Sequence, residues 1–409
     1  MAVSATSLPF REQNEFLRRK LNLPTNGWTD VYGREHDYAF TVAGANRDEL
    51  VADFHQAVQR AIEGGGTLEE FRRDFDRIVA THGWSYNGGR NWRSRVIYET
   101  NMRSSYMAGR YEQLLAVREA RPYWQYLHSD AVEVPRPEHE AWNGMVLRWD
   151  DPWWQQHFPI NAWGCQCSVR ALSEADLARL GKTGPDIAPP TVMQQRTIGQ
   201  RSPQGPRTVE VPQGIDPGFE HVPGQSRLES QVPVPRAGEE LIATATPGLP
   251  NRLADDRLPT PRAIDPASLP PAGMSDAEYA ARALDAFGAQ LDAAELITDV
   301  LGERIAVGPT MFEQPTGALA LQGQGERLPL LAETLLQPDE IWTRLEYSEQ
   351  LRQSQVLRRY LARFNLGAQL TQLVVVELAG NAWRWDIAPD HPGLAELLRQ
   401  GVRLYQRED

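Results

Sequence analysis

Proline is concentrated in one stretch of this chain. Seventeen of the 30 prolines lie in residues 185–271, about a fifth of the 409 residues. Because proline lacks a backbone N–H and breaks helices and central strands, this stretch is expected to be extended or irregular. It also carries apolar side chains suited to docking on a folded surface, namely Val209, Val211, Ile215 and Phe219. The chain should therefore fold as two regions, one on either side of an arm or linker.

The patterns on the two sides predict an α+β fold class. A chain of this length can hold two or three domains. Nine of the twelve tryptophans lie in residues 1–180, which marks the first region as the aromatic one. We expect four segments, which are an N-terminal arm at 1–47, a helical domain with a small aromatic-rich lobe at 48–181, a proline-rich linker or arm at 182–273, and a C-terminal α+β domain with an antiparallel sheet at 274–409.

Apolar residues in the first region recur at helical spacing. Residues 48–66 place an apolar side chain at every fourth position and end in three glycines, which predicts an amphipathic helix. Residues 67–84 begin with Thr67 and Glu70 at capping-box spacing and predict a second helix. A long third helix is expected at 91–120. Alternating aromatic residues at 123–129 then predict a strand, and 168–181 should begin extended and end as a short helix.

The C-terminal region alternates helical and strand-like patterns. Helices are expected at 274–290, with Ser275 as the cap, and within 326–342, ending before Pro338. Residues 302–309 predict a strand, and 358–365 a strand or short helix. The clearest hairpin is 369–390, where two β-rich runs flank a Gly-Asn turn at 380–381.

The formal net charge of −12 argues against attraction of the whole surface to nucleic acid. A local basic face is still compatible with the long third helix, since five arginines accompany one acid, Glu99, between Arg90 and Arg110. That face could contact DNA phosphates or an acidic partner protein, or it could simply be solvated. The candidate DNA- or partner-binding residues are Arg90, Arg93, Arg95, Arg103 and Arg110.

The chain has no run of 18 apolar residues, so no membrane-spanning helix and no membrane partner are expected. Its first residues, MAVSATSLPFREQNEF, lack the basic head and apolar core of a secretory signal. Two cysteines in the whole chain argue against a disulfide framework and favour assembly in a reducing compartment.

Both cysteines lie in NAWGCQCSVR, with one residue between them. A disulfide between them would be strained, and the Cys-x-x-Cys spacing of redox motifs is absent. Two alternatives stay open, which are a zinc site and two buried packing residues with a hydrogen-bonded histidine nearby. Zinc needs further ligands from the same aromatic lobe and a backbone bend, for which Gly164 supplies freedom. The expected ligand set is Cys165, Cys167, His139 and His157.

Two segments carry an ordered series of motifs, RSRVIYETNMRSSYMAGRYE and HSDAVEVPRPEHEAWNGMVLRWDDPWWQQHFPINAWGCQCSVRAL. Together they resemble the phage Mu F-like head morphogenesis family of minor capsid proteins, over about residues 50–175. Two departures are Pro137 after the motif arginine and Gln166 in place of the usual arginine between the cysteines. RTVEVPQGIDPGFEHVPG also resembles the segment that comes after this domain in Mu-like members. The family pattern falls on Arg95, Glu99, Thr100, Asn101, Ala108, Gly109, Asp130, Arg136, His139, Asn143, Gly144, Asp151, Pro152, Trp154, Pro159, Cys165 and Cys167.

The resemblance implies a structural protein of the phage head, located in the virion and, during assembly, in the host cytoplasm. It implies association with the portal vertex and a role in head assembly, DNA packaging or ejection. The expected partners are the portal protein, major capsid or scaffold proteins, and phage DNA.

The C-terminal region contains LITDVLGERIAVGP, the helix end LLQPDEIW and the hairpin VVVELAGNAWRWDI. Through these segments it resembles, more loosely, the small barnase, EndoU, colicin and RelE-like nuclease group found in phages. The alternative function is therefore a metal-independent RNase or toxin domain carried by the head protein. Such an enzyme needs a base, an acid and cations for phosphate. Residues of suitable type are His391, Glu340, Arg304, Arg358 and Arg359. Their spacing in the sequence does not bring them together, so we assign a catalytic role to none of them.

Overall fold

A computed structural model of the chain describes residues 10–132, 134–228, 234–235, 256–314, 316–348, 353–367, 370–379 and 382–409. The chain divides into two compact units, Met1–Leu228 and Glu229–Asp409. Residues 10–47 and 182–228 thus lie in one unit with the helical domain expected at 48–181. Residues 256–273 lie in the other unit.

The N-terminal unit combines helices with short strands. Its elements are α1 (Arg11–Arg18), β1 (Leu21–Asn22), β2 (Ala39–Phe40), α2 (Asp48–Gly64), α3 (Leu68–His82), α4 (Arg90–Ala116), β3 (Tyr123–Leu127), α5 (Pro137–Ala141), β4 (Val146–Arg148), α6 (Trp154–His157), β5 (Ser168–Leu172), α7 (Glu174–Arg179), β6 (Met193–Ile198), β7 (Arg207–Pro212) and α8 (Gln225–Leu228).

The three helices expected in this region are confirmed. Helix α2 buries the stripe that its sequence spacing predicts, including Leu50, Phe54 and Val58. Helix α3 begins with the expected capping box, in which Thr67 accepts from the Glu70 amide and Glu70 accepts from the Thr67 amide. These helices share a core with α1 and α4, so the first part of the unit is a helical layer.

A three-stranded antiparallel sheet with the order β4-β3-β5 follows the long helix α4. Tyr123 pairs with Leu172 and Leu127 pairs with Ser168, so the end of β3 lies beside the start of β5. Trp124 and Tyr126 on β3 are buried among aromatic side chains from α4, α5 and α6. The predicted aromatic lobe is this sheet with the short helices around it.

The proline-rich stretch packs on the aromatic lobe through part of its length. Strands β6 and β7 pair antiparallel, so this part is extended, as expected. Val211, Ile215 and Phe219 are buried, the last two within the aromatic core, which confirms their expected docking. Val209 is half-buried on β7.

The C-terminal unit is built on a larger sheet. Its elements are β8 (Val234–Pro235), β9 (Arg262–Ala263), α9 (Asp276–Asp285), β10 (Glu295–Thr298), β11 (Arg304–Val307), α10 (Pro329–Leu336), β12 (Glu340–Ser348), β13 (Gln353–Asn365), β14 (Thr371–Ala379), β15 (Ala382–Pro389), α11 (Pro392–Leu398) and β16 (Val402–Gln406). The sheet order is β16-β12-β13-β14-β15-β8, and β9 pairs with the end of β13.

The long strands alternate their side chains between two covered faces. Tyr360 and Val376 point into the core that includes α9 and α10, while Leu361 and Val375 pack with α11 on the other face. The predicted hairpin is confirmed as β14 and β15, and its Gly-Asn turn lies outside the described residues. The helix expected within 326–342 ends at Leu336, and strand β12 begins at Glu340.

Candidate metal centre

The two cysteines lie in a turn that leads into strand β5. The Cys165 amide donates to the Ala162 carbonyl at 3.1 Å, and Gly164 has a φ of +72°, a left-handed conformation that glycine adopts without strain. Both thiols are buried. Cys165 and Cys167 therefore face the interior of the aromatic lobe from one tight bend.

His139 meets both thiols from the short helix α5. Its Nδ1 lies 3.8 Å from the Cys165 Sγ and 3.6 Å from the Cys167 Sγ. Its Nε2 donates to the Gly214 carbonyl at 2.9 Å, which leaves the lone pair of Nδ1 directed at the sulfurs. The ligand atoms of His139, Cys165 and Cys167 all lie within 4.8 Å of one another.

The structure does not bring His157, the fourth ligand expected from the sequence, into this group. Its Nδ1 donates to the Trp153 carbonyl at 2.9 Å, and its ring stacks on the Trp153 ring at 4.2 Å between centroids. Burial lowers the pKa of His157 to about 4, so the ring is neutral at pH 7. His157 is thus a packing residue of the lobe, although it lies closer to the two cysteines in the sequence than His139 does.

His128 lies beside the thiols instead. Its Nδ1 is 3.6 Å from the Cys167 Sγ, and the side chain is half-buried. Since Leu127 pairs with Ser168 across the antiparallel ladder, the next residue along β3 falls opposite Cys167. Strand pairing of this kind cannot be read from a single sequence, so the residue pattern carries no signal for His128.

Three further side chains hold the cysteine turn in place. The Arg103 guanidinium donates to the carbonyls of Gln166 at 2.7 Å and Cys167 at 2.8 Å. The Asp216 carboxylate accepts from the Trp163 amide at 3.1 Å and from Arg136 at 2.8 Å. Helix α4 and the proline-rich stretch therefore brace the turn from outside.

The surroundings of the thiols are apolar and aromatic. Trp142 stacks on His139, and the buried Tyr126 hydroxyl donates to Asn161 at 2.9 Å. The hydrogen bond between the two thiols lowers the pKa of Cys165 and raises the pKa of Cys167, so Cys165 ionises first. Burial raises the pKa of Tyr126 well above its usual value.

The five arginines of helix α4 do not share one face. Arg90 and Arg93 are three residues apart on one side of the helix, whereas Arg95, Arg103 and Arg110 follow at steps of eight and seven residues on another side. Each arginine also has a partner in the same chain. Those partners are Asp76 for Arg90, the Ala43 carbonyl for Arg93, Glu99 for Arg95, the cysteine turn for Arg103 and Gln113 for Arg110. The side chains of Arg90 and Arg95 are 43% and 44% exposed, and binding of these arginines to DNA or a partner stays a prediction.

A cleft of about 440 Å³ opens in the N-terminal unit. Trp28, Trp92 and Trp163 line it and are 36%, 57% and 39% exposed. Lys20 also lines the cleft, and burial lowers the pKa of its amine to about 8. The cleft is thus apolar and aromatic, with one poorly hydrated amine.

The C-terminal unit buries a row of charges on the α11 side of its sheet. Arg359 pairs with Glu377, which also pairs with Arg384, and the Arg384 guanidinium lies 2.8 Å from Glu346. All four side chains are buried. Arg359, Glu377 and Arg384 lie opposite one another on the neighbouring strands β13, β14 and β15, so the ladder sets their pairing. Glu346 reaches Arg384 from β12, which is not a neighbour of β15.

The residue types considered for RNA cleavage are dispersed over the C-terminal unit. Arg359 belongs to the charged row, whereas Arg358 points to the opposite face and pairs with Asp299. Glu340 is buried against Arg399 and Arg403, and His391 caps helix α11 through its Nδ1. Arg304 starts strand β11 with an exposed side chain. The structure does not assemble these five residues into one site.

No helix in the described part of the chain is both long enough and apolar enough to cross a membrane.

Comparison with known proteins confirms the family resemblances. Residues 52–170 match the family described as Phage Mu protein F like protein, and residues 282–406 match the family described as phage-Barnase-EndoU-ColicinE5/D-RelE like nuclease2. No solved structure matches the chain.

Two curated relatives match part of the chain. The putative capsid assembly protein F of Escherichia phage Mu is 36% identical over 191 residues, which cover 43% of this chain and 43% of that protein. The Mu-like prophage FluMu F protein of Haemophilus influenzae is 34% identical over 164 residues, which cover 38% of this chain and 39% of that protein. The chain therefore spans less than half the length of these relatives. It carries a Phage Mu protein F-like region at residues 52–170, followed at residues 282–406 by a region similar to the phage nuclease-like family.

Proposed function

We propose that this chain is a minor head protein that takes part in assembly of a tailed-phage head. The observation that carries the proposal is the match of residues 52–170 to the Mu F-like family, together with 36% identity over 191 residues to a protein named for capsid assembly. The buried aromatic lobe and the docked proline-rich stretch support a rigid binding role for this unit.

The proposal extends to the neighbours of this protein in the head. The portal protein at the portal vertex, the major capsid protein and the scaffold are its proposed partners, and its proposed work includes DNA packaging or ejection. The aromatic cleft supports a protein partner, because exposed tryptophans are enriched in the centres of protein interfaces. We assign the cleft to a segment of a neighbouring head protein.

Deletion of the gene from the phage or prophage that encodes it tests this role. Particles and empty precursor heads should contain the chain by mass spectrometry, and the deletion should leave defective heads in electron micrographs. Normal heads from the deletion, and particles without the chain, would contradict the proposal.

Two surface variants test the cleft separately. Trp92→Ala should reduce incorporation of the chain into heads, because Trp92 is 57% exposed at the cleft. Ile187→Ala is the matched control, since Ile187 is 94% exposed and does not line the cleft. Equal incorporation of the two variants would remove the cleft from the interface.

A second candidate function is RNA cleavage by the C-terminal unit. The match of residues 282–406 to a nuclease-like family supports it. The charged row on the sheet does not add support, because its side chains are buried and paired with one another.

Incubation of the full chain with single-stranded RNA, without added metal, should yield fragments. Undegraded RNA, together with absence of toxicity on expression in a host cell, would retire this candidate, and His391→Ala tests the exposed histidine if cleavage occurs.

A further inference from the structure

The ligand atoms of His139, Cys165 and Cys167 all lie within 4.8 Å of one another, whereas His128 stands outside that group and contacts Cys167 alone. Three nitrogen–sulfur distances among these residues are in the range found around a tetrahedral metal ion. They are 3.6 Å and 3.8 Å from the His139 Nδ1 to the two thiols, and 3.6 Å from the His128 Nδ1 to the Cys167 Sγ. Zinc bound at about 2.3 Å from sulfur and about 2.0 Å from nitrogen holds such atoms about 3.6 Å apart at tetrahedral angles.

Hydrogen bonds can join these groups in pairs. The Nε2 of His139 donates to Gly214, so its Nδ1 accepts from one thiol. The second thiol bonds to the first sulfur or to His128. A metal ion uses the lone pairs of both sulfurs and the nitrogen at once, and thiolates are its usual ligands.

The geometry points to a structural zinc site held by Cys165, Cys167 and His139, with the half-buried His128, which contacts Cys167, turning in as the fourth ligand when zinc binds. Two thiolates and two imidazoles favour zinc among the common divalent ions. Four protein ligands leave no coordination position for water or substrate, which is typical of a structural site. Two thiolate charges balance Zn²⁺, so no net charge is buried. The half-buried His128 leaves an entry path for the ion on the solvent side.

This site joins segments that are distant along the chain. His128 follows strand β3, His139 lies on α5, and the cysteines precede β5. Zinc therefore holds the sheet, the short helix and the turn together. The inference does not depend on the proposed head role, because a metal can stabilise the lobe whatever the lobe binds.

The carbonyl of Gly214 acts as an outer partner of the metal, since it orients the imidazole of His139. Gly214 has a φ of +86°, and an added Cβ would lie 2.7 Å from the Glu138 Cβ and 2.9 Å from the Trp142 ring. Gly214→Ala should therefore displace helix α5 and weaken zinc binding without removing a ligand.

Metal analysis of the full chain, expressed with zinc and purified without chelators, tests the inference. We expect about one zinc per chain, and after exchange with Co²⁺ an absorption spectrum of a tetrahedral site with two thiolates. Cys165→Ser and His139→Asn should abolish stoichiometric binding. His128→Asn should lower zinc affinity at least tenfold, and Gly214→Ala about 10- to 100-fold, the range for outer partners.

His157→Asn is the matched control, because His157 is an equally buried histidine of the same lobe. It should retain about one zinc per chain. Less than half an equivalent of zinc in the unaltered chain, with no tetrahedral Co²⁺ spectrum, would overturn the site. Loss of zinc in His157→Asn with retention in His128→Asn would overturn the assignment of the fourth ligand, and stoichiometric binding of another metal instead of zinc would overturn the choice of ion.

Discussion

The two units bury their polar groups in different ways. In the N-terminal unit, two thiols and the imidazole of His139 converge from separate segments on one point in an aromatic core. In the C-terminal unit, Arg359, Glu377 and Arg384 lie side by side on adjacent strands. In the sheet, the pairing of adjacent strands places the opposite charges next to each other. In the lobe, the side chains come from segments far apart in the sequence, so they meet only when the whole lobe has folded.

The largest effect is expected in the charged row of the C-terminal sheet. Glu377→Gln should destabilise this unit by about 3–5 kcal/mol, because it leaves the charges of Arg359 and Arg384 buried without their shared carboxylate. Chemical denaturation followed by far-ultraviolet circular dichroism measures the change. Asp76→Asn is the control, since the exposed Asp76–Arg90 pair should contribute less than about 1 kcal/mol. Equal effects of the two variants would show that the row is not a stabilising network.

The next largest effect is expected where Arg103 of helix α4 binds the turn that holds the two cysteines. Arg103→Ala should cost about 2 kcal/mol, because two partly buried turn carbonyls lose a charged donor. Arg110→Ala, on the same helix, removes a bond to the Gln113 side chain and should cost less than about 0.5 kcal/mol. Denaturation followed by tryptophan fluorescence reports mainly on this unit, which holds nine of the twelve tryptophans. Matching losses in the two variants would mean that the turn closes without Arg103.

The pH dependence distinguishes a neutral buried imidazole from a charged one. Burial lowers the pKa of His157 to about 4 in the folded unit, while an unfolded imidazole titrates near about 6.5. The unfolded state therefore binds more protons between these values, and stability falls as pH falls through this window. From pH 7 to pH 5, with a chelator present, His157 should account for a loss of about 1–2 kcal/mol. The same fluorescence titration of His157→Asn should be shallower, and an unchanged slope would contradict a neutral buried ring.

The smallest effects allow a matched comparison of local structure in the two units. Helices α3 and α9 begin with the same kind of capping box, at Thr67 and at Ser275. Thr67→Ala and Ser275→Ala should each cost about 1 kcal/mol, each in its own unit. Thr67→Ser is the control and should keep the cap. Denaturation curves with the two probes above separate the units, and a cost near zero in one of them would show that its helix is held by packing alone.

Much of the local structure could be predicted from residue patterns. The stripe of α2, the capping boxes at Thr67 and Ser275, and the hairpin of β14 and β15 all depend on spacing that acts within a few residues. Docking of Ile215 and Phe219 could also be anticipated, because apolar residues in a proline-rich stretch must be covered somewhere.

The candidate site could be predicted only in part. Cys165 and Cys167 are close in sequence, and His139 is one of few histidines in the lobe, so residue types alone indicate this group of three. His157 is equally plausible by distance along the chain, but the aromatic packing turns its ring onto Trp153. The arginines of α4 can be named from the sequence, whereas their partners within the chain, such as Asp76 for Arg90, come from tertiary contacts.

Residue patterns are enough to predict the helices, their caps, the hairpin and the closeness of the two thiols, because these depend on hydrogen bonds and side-chain periods within a few residues. Which imidazole lies beside the thiols depends on how the whole lobe folds. His128 and Cys167 are 39 residues apart and meet because β3 and β5 pair in one register. That register is fixed by packing of the whole aromatic lobe, and no short window of sequence contains it.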